Sequence, residues 1–86
     1  MNIYDLIAIV KKKIKNEIII EKIDIEDKSF LHKNHLGHQE GKFHLKLIIS
    51  STELRKLNRI GSNKRIYKVL DQEMKKYIHS LQILIS

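Results

Sequence analysis

The chain has 86 residues with no proline, three glycines, no tryptophan and 42% hydrophobic residues, which suits one small folded domain and excludes collagen-like, linker-like and multidomain chains. It has no cysteine, so disulfides, thiol nucleophiles and cysteine-rich zinc sites are ruled out, and a side-chain metal site must draw on histidine, aspartate or glutamate. The formal charge of +7, from 17 Lys and Arg against 10 Asp and Glu, suits an acidic partner such as nucleic acid, though lysine dominates and only Arg55, Arg59 and Arg65 carry the planar fork.

Between Asn2 and Lys15 the residues Ile3, Leu6, Ile7, Val10 and Ile14 recur at helical spacing, with Asn2 as N-cap and Asp5 in the first turn. Lys11, Lys12, Lys13 and Lys15 complement the negative end of that helix. Residues 17–25 read as a strand with Ile19, Ile23 and Ile25 on one side and Lys22 and Asp24 on the other. Residues 26–42 lose periodicity and form a connection longer than most in compact domains, a length that often carries function. At Phe43 alternation returns: Phe43, Leu45, Leu47 and Ile49 face a core, while His44, Lys46 and Ser50 face away.

Ser50-Ser51-Thr52-Glu53 predicts a capping box with Ser50 at the cap, opening a short helix to about residue 58. Gly61 and Ser62 predict a break, followed by a long helix in which Leu70, Met74 and Tyr77 point inward. From Ser80 onward Leu81, Ile83 and Ile85 alternate with Gln82 and Leu84, a terminal strand that begins just after His79. The expected fold is an α/β single domain spanning residues 1–86, in the order α-β-β-α-α-β, with helices packed on one face of a three-stranded sheet.

Four of the five histidines, His32, His35, His38 and His44, fall within thirteen residues, and the fifth is His79. Neutral imidazole binds transition metals, so the cluster reads either as a metal site or as a polar loop that contains histidines without binding anything. No Gly-x-Ser-x-Gly, His-Glu-x-x-His or phosphate-cradling glycine loop is present, and catalysis is not expected. No apolar run reaches the roughly 18 residues of a membrane span, and Met1-Asn-Ile-Tyr-Asp lacks the basic start of a signal peptide, so a cytoplasmic location without membrane contact is expected.

Four stretches together resemble the BolA family: Asp27-Lys28-Ser29, like its Asp/Asn-x-Ser; His44 to Ser51, like its His-Phe-Lys-Val strand; Tyr67, on its Val/Ile-Tyr; and Ile78-His79-Ser80-Leu81, like its Val/Ile-His-Ala-Leu. Two departures stand out: Ser80 replaces the usual alanine, and Ser62-Asn63-Lys64 stands where the family has Arg-His-Arg. The resemblance implies a class II KH-like fold without the Gly-x-x-Gly loop of RNA-binding KH domains. It also implies an adaptor that pairs with a monothiol glutaredoxin and co-ligates a bridging 2Fe-2S cluster, for cluster trafficking or iron and redox sensing. The glutaredoxin and glutathione would supply the thiolates. This chain would supply His79 and a loop ligand, ranked His32 then His35, while His44 ligates, supports a ligand or faces solvent. Alone, the protein would be a monomer or weak homodimer holding no cluster. The alternative is a DNA-binding transcriptional regulator, with Lys56, Arg59, Lys64, Arg65 and Lys68 forming the contact surface.

Overall fold

The computed structural model describes residues 1–29 and 42–86. The elements run α1 (Ile3–Glu17), β1 (Lys22–Asp27), β2 (Phe43–Ser50), α2 (Thr52–Arg55), α3 (Arg59–Val69), α4 (Asp71–Lys76) and β3 (Ile78–Ile85). β2 is the middle strand, antiparallel to β1 and parallel to β3. The expected order holds, with the long helix divided at Leu70 (φ −98°, ψ 18°). No described helix is long and apolar enough to cross a membrane.

Helix α1 starts where Asn2 Oδ1 accepts the Asp5 amide at 2.8 Å, and Leu6, Val10 and Ile14 form its buried stripe. They meet Leu54, Ile66 and Leu70 from the later helices and Ile23, Leu45, Leu47, Ile49 and Ile78 from the sheet in one hydrophobic cluster. All the helices therefore cover one sheet face. Strand registers Ile23↔Ile49 and Ile25↔Leu47 in one pair, and Leu45↔Leu81 and Leu47↔Ile83 in the other, line up the core side. Their neighbours, among them Asp24, Lys46, Ile48, Gln82 and Leu84, occupy the opposite face.

Three local expectations are corrected. The isoleucine run after Glu17 does not begin the strand: Ile18 closes α1 through its amide to the Ile14 carbonyl and is buried, whereas Ile19 is 70% exposed. The cap of α2 is Ser51, not Ser50. Its hydroxyl accepts the Leu54 amide (3.1 Å) and donates to the Ile19 carbonyl (2.7 Å), tying the end of α1 to the start of α2. The reciprocal glutamate of the capping box is replaced by Glu21, whose Oε1 accepts both the amide and hydroxyl of Thr52 (2.6 and 2.7 Å), while Glu53 bonds Arg65 instead. Finally, Gly61 and Ser62 lie within α3, whose N-cap is Asn58. The Asn58 Oδ1 accepts the Gly61 amide at 2.7 Å, and a Cβ at Gly61 would sit 3.1 Å from that oxygen, so the glycine serves a tight cap and not a break. Ser62, buried, donates to the Leu54 and Asn58 carbonyls.

The Thr52 hydrogen bonds, assisted by Arg55, hold the Glu21 carboxyl below its ordinary value of 4.5. A depressed carboxyl contributes stability that is present above its unfolded value and lost as pH falls through the folded value. Glu21→Gln is accordingly expected to shift the denaturant midpoint more at neutral pH than below about pH 4. Parallel acid losses in variant and parent would contradict this.

Candidate functional site

The Asp27-Lys28-Ser29 motif anchors the beginning of β2. Asp27 Oδ1 accepts the Ser29 amide at 3.0 Å, a local Asx turn that closes β1. That turn delivers the Ser29 hydroxyl to the amide of His44 (3.1 Å), while the Lys28 amide donates to the His44 carbonyl (2.7 Å). Both backbone polar groups of His44 are thereby fixed.

Strand β3 approaches from the other side with a register shift. Phe43 pairs with Ile78, but His44 pairs with Ser80, leaving His79 as one extra residue on β3. Such a bulge interrupts alternation and re-aims side chains. Ile78 enters the core at 2% exposure, and both of the next two residues meet His44. Ser80 Oγ lies 2.5 Å from His44 Nδ1, and the His79 ring lies 4.9 Å from the His44 ring, tilted by 59°. His79 is exposed, whereas His44 retains only 5% of its surface. The placement of His44 away from the helices agrees with the alternation; its burial excludes the solvent-facing role.

What the described residues offer a metal here is the exposed His79 imidazole, backed by the buried ring of His44, and no thiolate. Among the described residues no group of three or more His, Cys, Asp or Glu could hold a metal ion by itself. Such a set fits a metal group whose remaining ligands arrive on another molecule. His32 and His35 lie outside the described residues.

The five basic positions divide. Lys56, Arg59, Lys64 and Lys68 are exposed and form no ion pair among the described residues, and Lys64 and Lys68 lie one turn apart on α3. Arg65 is committed to the fold: it donates to the Glu17 carbonyl (2.9 Å) and to Glu53 (3.1 Å), joining the end of α1 to α2 and α3. Tyr67 is 40% exposed, and its hydroxyl donates to the Leu81 carbonyl at 3.3 Å, tying α3 to β3.

The model of the BolA-like protein family matches residues 14–86. The chain belongs to the BolA-like family. Its described domain is similar to the BolA domain of SufE1 from Arabidopsis thaliana, at 25% identity and TM-score 0.77 over 92% of this chain and 87% of that one. BolA1 from the same plant gives 23% identity and TM-score 0.75 over the same shares, a likeness of fold. A curated relative, the DNA-binding transcriptional regulator BolA of Haemophilus influenzae, is 29% identical over 75 residues, covering 87% of this chain and 70% of that protein. Within this BolA-like domain the small α/β fold with a three-stranded mixed sheet is as expected. Sequence reasoning missed the work of two serines. Ser29 carried a signal, as part of the Asp-x-Ser motif; Ser80 was visible only as a departure from alanine.

Proposed function

We propose that this BolA-like domain is an adaptor that completes a 2Fe-2S site together with a monothiol glutaredoxin and glutathione, its own contribution being His79 and a second histidine. The observation that supports this is the exposed His79 held beside the buried His44 at the bulge between β2 and β3. His79 is the ligand in this reading. His44, with Nδ1 engaged by Ser80 and its backbone pinned by Ser29 and Lys28, orients it, and the second ligand comes from His32 or, next, His35. When bound, such a cluster supplies one-electron chemistry, and imidazoles in place of thiolates raise its potential, as in Rieske centres. The adaptor role is one of binding, not catalysis.

The test is anaerobic titration of the protein into a cluster-loaded monothiol glutaredoxin with glutathione, followed by visible circular dichroism and by mass. A new spectrum and a one-to-one complex are expected. An unchanged glutaredoxin spectrum with no complex would overturn the reading.

A second reading, DNA binding, is favoured by the likeness to the DNA-binding transcriptional regulator BolA of Haemophilus influenzae and by Lys56, Arg59, Lys64 and Lys68, which are exposed and form no ion pair among the described residues. Contacts from these side chains would make affinity for duplex DNA fall with salt at a log-log slope of about 0.9 per neutralised phosphate. Replacing Lys64 and Lys68 by alanine should then flatten the slope by about 2. A slope near zero in the parent protein would remove this reading.

A further inference from the structure

The hydroxyl of Ser80 has no assigned role, and its position is unusual for a side chain on an exposed strand residue. The extra residue in β3 places it directly opposite His44, with Oγ 2.5 Å from Nδ1. Imidazole has two distinct nitrogens, and the hydrogen bond made by one decides which of them carries the proton. Among the described residues the Ser80 hydroxyl has no other hydrogen-bond partner, so donation to Nδ1 is the arrangement that uses its proton within the fold. The imidazole it meets is buried and already fixed at both backbone polar groups.

We propose that Ser80 is a positioning residue, whose hydroxyl donates to Nδ1 of His44, holds that ring in the Nε2-protonated tautomer and so fixes the surface against which the exposed ring of His79 rests. The inference deepens the cluster-ligation reading and rests on it for its functional meaning, but the tautomer itself is a property of the protein alone. Alanine at this position, the residue expected from the family pattern, leaves the strand intact and removes only the donor. This chain therefore orients its histidine pair by a bond that alanine cannot make. A consequence is that the lone pair on Nδ1 of His44 accepts from Ser80 while Nε2 carries the proton, which directs the second ligand role to another histidine.

The experiment uses the full chain labelled with 15N-histidine, with long-range nitrogen-proton NMR at about pH 8, where imidazoles are largely neutral. The parent should show His44 as a single tautomer, protonated at Nε2. In Ser80→Ala the His44 nitrogens should move toward the averaged shifts of mixed tautomers and the His79 ring signals should move with them. Ser80→Thr should restore the parent pattern, a rescue that a merely space-filling role does not predict. An unchanged His44 pattern in Ser80→Ala, or protonation at Nδ1 in the parent, would overturn the proposal. In the glutaredoxin complex, Ser80→Ala should lose the cluster faster than the parent, because the ring that orients His79 is no longer held in one tautomer. A parent complex that holds no cluster would defeat the ligation reading and leave the tautomer result to decide the inference separately.

Discussion

Replacing His79 by alanine should abolish cluster retention in the mixed complex while leaving the domain folded. The side chain is exposed and lies on the sheet face opposite the helices, so its removal opens no cavity in the core. Its backbone sits in a bulge whose register is held on both sides, by Ile78 in the core and by Ser80 against His44. Stability should therefore change little, by about 0.5 kcal/mol or less, as for surface substitutions away from special features. In the proposed complex His79 would be one of only two ligands from this chain, so its loss should leave the cluster unheld by this domain. The check is paired: thermal or denaturant unfolding of the free variant, and cluster absorbance of the complex after gel filtration. A folded variant that retains the parent spectrum would contradict ligation by His79.

The largest stability effect is expected at Leu47. It is fully buried in the middle strand, paired with Ile25 on one side and Ile83 on the other, and faces the helical stripe. Leu47→Ala should cost about 2–5 kcal/mol, because the lost transfer energy is joined by a cavity that strands on both sides prevent from collapsing. A domain of this size has a total stability of only about 4–13 kcal/mol, so the variant should lose a large share of it and unfold at a clearly lower denaturant concentration than the parent. Ile48, the next residue, lies on the opposite face and is half-buried; Ile48→Ala should cost roughly a third as much or less. Equal losses at the two positions would contradict the one-faced core.

The alternation from Phe43 to Ile49 was legible because a half-buried strand has a period of two and all four core residues are large and apolar. The isoleucine run from Ile18 to Ile20 was not. A short apolar run has no period of its own, and the end of α1 claimed Ile18 for the core, leaving Ile19 outside. Gly61 misled for a different reason: glycine suggests a break, but here it admits the Asn58 cap at close range.

At the site, His79 and its neighbours could be found by their likeness to a family pattern. The burial of His44 and its bond to Ser80 could not, since both depend on one extra residue in β3 that shifts the pairing register. No periodicity announces a single-residue bulge. The divided fate of the basic residues was equally hidden. Arg65 and Lys64 are adjacent in sequence, yet the first reaches the carbonyl of Glu17 and the carboxylate of Glu53, while the second has no ion-pair partner among the described residues.

The most direct measurement of the central claim is pulsed electron paramagnetic resonance of the one-electron-reduced complex, prepared with this chain carrying 15N-histidine and the glutaredoxin unlabelled. Ligation by His79 and a second histidine of this chain predicts strong 15N hyperfine coupling to the cluster in the parent complex and equally in the Glu21→Gln complex, and no cluster signal from the His79→Ala mixture. A reduced cluster that shows no 15N coupling, or shows the same coupling without His79, would contradict the account.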